Sequence, residues 1–533
     1  MVDIDDFLSS KFSPFNITAE SFPDNKPYLI IGDDEEIKLL QSELQQQGAT
    51  DFRASISIPT LDPNAQSKKS DQIIFVSSIK ESVQENHHIL FSSKSFIYMQ
   101  SLIGLEYINT NFDYFHLVKI WHSTPYRNSP DNPLQIKCIH QRPIIDWVYE
   151  KMLSGERMFA AELLELYLNL YAPRDLNQID RIKYLNFQSQ TDLPNGSMAS
   201  IFNSGGKLEK SWLLYKDAVT RIVKRLSPTF PFPFWDGEDF SGKKIVFRRE
   251  PGPGDEILYA NIFNKLSEDG CQVIIETDER LTDLFTRSFP NAEIIPRQDN
   301  ATYPRLHDDN IDFQANYSDP FIFYLNSIDK FPDHGGYLYA DQKKITYWKN
   351  YFKNFSDTPR IGISWGSLGT GAITNRFTTK LNQWEHILSQ PNVQFFNLDY
   401  GDVSEELAWA QEKIGVKIHT INELDLFNDL DGLASVISNL DLIISVNNIN
   451  TNLGGALNIP TWEIIPNFWY FLFGTDVDHF YPRSRIFKWV GDQDQRVALN
   501  EAGETLKEIL KKIKNTDGDN ALFRQLSFRK PLI

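Results

Sequence analysis

Apolar and polar positions along the chain follow two different periods, and the switches between them divide it. PYLIIGDD predicts a strand and turn, EEIKLLQSELQQQGA an amphipathic helix stopped by Gly48, and QIIFVSS a second buried strand over 72–78. Together they predict a small α/β domain over 1–135, behind an irregular lead-in. From Pro143 to about Leu226 the period turns helical. Ile144–Leu153 and Glu156–Leu170 meet at Ser154-Gly155, Pro173 ends the second helix, and another covers Leu208–Arg225. This stretch predicts a helical connector over 136–230, packed on the next domain.

The period then alternates between short β-branched runs and helical spacing. Lys244–Phe247 predicts a buried strand, Glu250–Gly254 a Gly/Pro turn, and Ile257, Leu258, Ile262, Phe263 and Leu266 a helix. CQVIIETD, ERLTDLFTRSF and AEIIP continue as strand, helix and strand, which implies a parallel sheet. After the helical stretch 339–352, RIGISWGS opens a second series. It runs through a loop rich in Gly and Thr, a helix around 383–389, VQFFNLDY as a strand and a helix at 405–414. DGLASVISNLDLIISV is a helix leading into a strand, and NNINTNLGGALNIPTWEII is a turn, a glycine-bearing helix and a last strand. Two Rossmann-like halves over 231–350 and 351–533 are expected to face a cleft, with the turn after the first strand at the sheet edge where open α/β sheets bind ligands.

Composition narrows the partners. A net charge of −18 opposes nucleic acid and anionic membrane surfaces, so a phosphate-bearing ligand must be held by local donors and helix ends. No run approaches about 18 apolar residues, so no transmembrane helix is expected. The acidic start MVDIDDFLSSKF lacks the pattern of a secretory signal, and a cytoplasmic protein is expected. Cys138 and Cys271 are too few for a disulfide framework or zinc site, and the neighbours His87 and His88 point to opposite faces of a strand. No metal and no cofactor is expected. Gly32 stands alone in its turn, without the three-glycine dinucleotide fingerprint.

Asp255 opens the helix after the Gly/Pro turn, and two readings compete for it. As a helix N-cap it would bond its own backbone amides; as a general base it would have to keep its lone pairs available. Trp365, Trp462 and Trp489 read as packing residues, and Glu463 as structural. Trp469, beside Tyr470 in a loop, is the best stacking candidate. His334, in DHGGY, reads as a turn residue.

Four stretches in this order, FWDGEDFSGKKIVFRREPGPGDEILYA, YLNSIDKFPDHGGYLYAD, RIGISWGS and LDLIISVNNINTNLGGALNIPTWEIIPNFWYFLFG with FYPRSRIFKW, resemble glycosyltransferase family 9, the heptosyltransferases. More closely, they resemble the module of this kind found after tetratricopeptide repeats in bacterial proteins. The resemblance spans about 230–515 and implies the GT-B fold. It also implies inverting, metal-independent transfer of a sugar from a nucleotide-sugar donor to a protein or glycan acceptor. It places Asp255 at the family's proposed base. It puts the donor diphosphate at the amino end of the helix Thr451–Leu457, with Gly454 and Gly455 allowing close approach. Ser367 and Thr370 are implied as hydrogen-bond donors and Arg376 as a counter-charge for the leaving group, against its plain reading as a solvated loop cation. Where relatives read Ser-Val-Asp-Thr and then His-Leu, this chain has Asn447-Asn448 and Asn452-Leu453. Asparagine still hydrogen-bonds a ribose or phosphate but supplies no charge. A catalytically silent GT-B scaffold is the competing reading. A nucleotide-sugar epimerase is disfavoured because the first strand lacks an NAD turn.

Overall fold

The computed structural model describes residues 28–32, 38, 52–57, 88–91, 114–117, scattered positions within 152–165, and then 195–226, 230–297, 310–332, 336–366, 378–490, 494–514, 523–525 and 527. The strand expected at 72–78, His87, Cys138, His334, Ser367, Thr370 and Arg376 lie outside them, and of the first expected helix only Lys38 is described, as helical. The chain forms two compact units, residues 1–147 with 163–193, and 148–162 with 194–533.

In the first unit β1 (Tyr28–Gly32), β2 (Phe52–Ser57), β3 (His88–Phe91) and β4 (Tyr114–Leu117) pair in parallel, in the order β2-β1-β3-β4.

After helical positions scattered over 152–162, the second unit continues with two helices, α1 (Asn195–Ser204) and α2 (Leu208–Leu226). The first lobe comes next. Strands β5 (Lys244–Arg248), β6 (Gln272–Thr277), β7 (Glu293–Pro296) and β8 (Phe313–Asn316) form a parallel sheet ordered β7-β6-β5-β8. Helix α3 (Pro253–Tyr259) leaves β5 through the Gly/Pro turn, and α4 (Thr282–Ser288) connects β6 to β7. The four residues from Ile245 to Arg248 are buried, as a parallel strand covered on both faces must be. Helix α5 (Gln342–Phe352), capped by Asp341 through the Lys343 and Lys344 amides, leads into the second lobe.

That lobe has six parallel strands, β9 (Arg360–Ser364), β10 (Gln394–Asn397), β11 (Ile418–His419), β12 (Leu442–Val446), β13 (Thr461–Pro466) and β14 (Ser484–Trp489). Their order, β11-β10-β9-β12-β13-β14, is the doubly wound arrangement that reverses beside the first strand. Helices α6 (Leu430–Ile437) and α7 (Ile449–Ala456) flank β12, and α8 (Arg496–Lys514) closes the far face. Two doubly wound halves in tandem make a GT-B architecture.

Both lobes reverse strand order at their first strand, between β5 and β8 in one and between β9 and β12 in the other. A crevice opens at such a reversal because neighbouring connections leave in opposite directions. The turn 249–254 lies at the first reversal and the corner 447–448 at the second. A single apolar core joins the lobes, running from Phe247, Phe263 and Phe321 to Leu433, Leu453 and Phe480. Polar contacts add to it: Tyr337 and Leu338 amides donate to Ala456 O at 2.9 and 3.0 Å, Arg280 Nη1 donates to Phe427 O at 3.0 Å, and Lys344 pairs with Asp431 at 2.9 Å.

Helix α2 is fastened along the first lobe at one-turn intervals. Trp212 Nε1 donates to Leu325 O at 2.8 Å, Lys216 Nζ to Trp235 O at 2.8 Å, and Thr220 Oγ1 accepts from Asn316 Nδ2 at 2.9 Å. Residues four apart share a helix face, so these three define the docked side.

Candidate functional site

Asp255 does not cap its helix. The N-cap of α3 is Gly252, with extended backbone and no side-chain cap bond, and Pro253 occupies the first turn, where a missing N–H costs nothing. Asp255 is half-buried and accepts no hydrogen bond from a described residue. Burial raises its carboxyl to about pH 6, well above the ordinary aspartate value of roughly 4. Of the two readings left open by the sequence, the geometry removes the cap.

Its neighbour holds the helix in place. Glu256 is fully buried, and its Oε2 accepts from Thr277 Oγ1 at 2.7 Å and the Asp278 amide at 2.9 Å, tying α3 to the end of β6. Burial raises Glu256 to about 8, the two hydrogen bonds offsetting part of the effect. A carboxyl whose folded pKa is raised binds its proton more tightly when folded, so the stability it contributes is complete below its unfolded value of roughly 4.3 and lost as pH rises through about 8. Glu256→Gln is therefore expected to reduce the fall in melting temperature between pH 5 and pH 9. Parallel thermal melts of the two proteins check this, and identical slopes contradict the assignment.

Three further side chains surround Asp255 that the sequence did not single out. Tyr259, one helical turn on, is buried, and Tyr215 of α2 lies with its ring 5.6 Å from that of Tyr259. Both phenols are raised, first by burial and then by the carboxylates of Glu250 and Asp255, so both are neutral hydrogen-bonding groups at physiological pH. Glu250 is fully buried. Its carboxyl oxygens have no hydrogen bond of good geometry among the described residues, and the Ser318 backbone is the one group favouring ionisation. Burial, then Asp255, Asp319 and Glu256, push Glu250 well above the usual carboxylate range. The i, i+4 spacing of Asp255 and Tyr259 was a usable signal; the approach of Tyr215 was not, because it depends on how α2 docks.

Across the crevice, Asn448 caps α7. Its Oδ1 accepts from the Asn450 amide at 2.8 Å, and its Nδ2 donates to Ser364 Oγ at 2.7 Å and Gly366 O at 2.9 Å. Thr451 Oγ1 donates to Asn448 O at 2.7 Å and is buried. Asp399 completes this corner, accepting from Ser364 Oγ, the Trp365 amide and the Gly366 amide at 2.7, 2.8 and 3.1 Å. These bonds hold Trp365 and Gly366 at the end of β9. Asn447 is half-buried at the corner and bonds Glu463 of β13. Glu463 is buried, and its carboxyl is raised by burial and by the adjacent Asp478.

Gly454 and Gly455 face protein neighbours. A Cβ at Gly454 would strike Thr461 Oγ1 and Ile443, and one at Gly455 would fall inside the Tyr481 ring. Asn452 points at the first lobe: its Nδ2 donates to Gly254 O at 3.1 Å, and its Oδ1 accepts from Tyr481 Oη at 3.1 Å. Asp255 thus sits one residue from the contact between α3 and α7. Trp469 is half-buried and packs on Tyr470 at 4.6 Å, whereas Trp365, Trp462 and Trp489 are buried core residues.

Among the described residues no group of three His, Cys, Asp or Glu could hold a metal ion, and no helix is long and apolar enough to cross a membrane.

No family model matches the chain. It is 30% identical over 303 residues to Protein FlbA of Caulobacter vibrioides, covering 54% of this chain and 50% of that protein, so it spans about half the length of this curated relative. Similar solved structures include a family 9 glycosyltransferase from Veillonella parvula, 12% identical, covering 55% of this chain and 97% of that one with a TM-score of 0.37. The ADP-heptose lipopolysaccharide heptosyltransferase II of E. coli is likewise 12% identical, over 51% and 99% of the two chains, with a TM-score of 0.36.

Proposed function

We propose that the chain is a glycosyltransferase that moves a sugar from a nucleotide-sugar donor to a protein or glycan hydroxyl, with inversion and without a metal. One observation carries the reading: an uncapped carboxylate, bonded by no described residue, lies at the strand reversal of one lobe and meets the strand-reversal corner of the other, with Gly254 in direct contact with Asn452. Displacement at an anomeric carbon needs a base for the attacking hydroxyl and a grip on the departing phosphate. Asp255 supplies the first. Beside it lies a second acid, Glu250, which burial and Asp255 push well above the usual carboxylate range.

The second lobe supplies the grip. The amino end of α7, with Asn447 and Thr451 around the Asn448 cap, lies at the strand reversal, and the dipole of a helix start favours anions. Ser367, Thr370 and Arg376, implied by the resemblance and outside the described residues, complete the donor side of the proposal. Trp469 offers a flat face for the base or the sugar.

A thermal-shift series with UDP, GDP, ADP and CMP tests donor binding directly. One nucleotide at about 100 times its Kd is expected to add about 2.7 kcal/mol to stability. Its shift should be unchanged in Asp255→Asn, because that residue lies on the other lobe. No shift with any nucleotide favours the silent scaffold.

A further inference from the structure

We propose that Asn452 is a positioning residue: the hydrogen-bonded chain Tyr481–Asn452–Gly254 sets the depth and aim of the Asp255 carboxylate across the crevice. This inference rests on the reading of Asp255 as the base.

The geometry is continuous. Tyr481 Oη donates to Asn452 Oδ1 at 3.1 Å, which orients the amide so that Nδ2 faces Gly254 O at 3.1 Å. Tyr337 Oη donates to Ile257 O at 2.5 Å and lies 3.4 Å from Tyr481 Oη, so a second strut from the same pair of phenols reaches the next turn of α3. Asn452 and both tyrosines are buried. Two carbonyls of the short helix bearing Asp255 are therefore gripped from outside it, one on each side of the acid.

Short helices in isolation are marginal and fray at their first turn. Here the first turn holds the acid, and its cap contributes no side-chain bond. The grip on Gly254 O comes from the opposite lobe and holds this turn by its carbonyl, while the turn's amides have no side-chain cap. A Cβ at Gly254 would lie 3.2 Å from Asn452 Nδ2, a tight contact, so glycine lets the amide approach without a small shift. An amide suits the role because it accepts from Tyr481 and donates to Gly254 at once and stays neutral beside a carboxylate. The surrounding titratable groups are acids: Asp255 and Glu250 on the first lobe, Glu463 and Asp478 behind Tyr481.

The test compares Asn452→Ala and Tyr481→Phe with the parent in three measurements: donor and acceptor kinetics, nucleotide affinity by calorimetry, and the Asp255 carboxyl pKa by carbon-detected NMR, assigned with Asp255→Asn. Loss of the grip lets water reach the acid. The expected result is a fall of tenfold or more in kcat, nucleotide affinity within about twofold of the parent, and an Asp255 pKa moved down from about 6. Tyr481→Phe should move all three the same way by less, and it keeps the test open if Asn452→Ala fails to fold. Unchanged kcat and pKa in both variants overturn the proposal, as does loss of nucleotide affinity together with kcat, which would make Asn452 a donor contact. If Asp255→Asn retains full transfer, the base assignment fails instead, and the NMR titration still decides whether Asn452 positions the carboxylate.

Discussion

Asp255→Asn is expected to lower the rate of sugar transfer by about 10²- to 10⁴-fold while leaving nucleotide affinity unchanged, the range usual for loss of a general base. The substitution keeps the shape of the side chain and removes its ability to take a proton. Since no described residue bonds the carboxylate, the folded state loses no hydrogen bond, and the melting temperature should hold or rise slightly as a desolvated charge is removed. The pH profile gives a second signature. In the parent, kcat/KM should fall about tenfold per unit below pH 6, because the acid protonates there, and the residual activity of the variant should show no such limb. A variant that transfers at the parent rate contradicts the assignment.

Trp212→Ala is expected to cost about 3–5 kcal/mol of stability, the range for removing a large buried aromatic. Trp212 is almost fully buried and makes edge contacts with Tyr215, Tyr259, Phe321 and Phe473, besides its bond to Leu325 O. Phe473 belongs to the second lobe, so this one indole joins α2 to both lobes. Because Tyr215 lies three residues later, the variant should also disturb the wall beside Asp255. Urea unfolding checks the first effect; a change below about 1 kcal/mol would show that α2 is not a structural part of the lobes.

Much of the second unit was legible in the sequence because its strands are short apolar runs buried on both faces. Lys244–Phe247, Cys271–Asp278 and the run ending at Val446 needed no tertiary information to be read as strands. The strand order was not legible, since periodicity says nothing of which strands are neighbours; Phe313–Asn316 carries two amides among its four residues and Ile418–His419 has two residues, so neither shows as an apolar run. At the site, Asp255 stood out by its place after a Gly/Pro turn. Its freedom from capping did not, because an aspartate near a helix start caps or not according to which residue takes the N-cap, and here Gly252 does. The three asparagines were visible as departures from the resembled pattern. That Asn448 faces its own helix and Asn452 the other lobe is decided only by how α7 meets β9 and α3.

If the two strand-reversal edges form one reaction site, a bound nucleotide must lie across them. A crystal structure with the nucleotide that stabilises the protein most should show its phosphates at the Asn447–Thr451 corner, with the sugar-bearing end directed toward Asp255. Phosphates bound at any other surface, with the Asp255 side of the crevice empty, would contradict a single site.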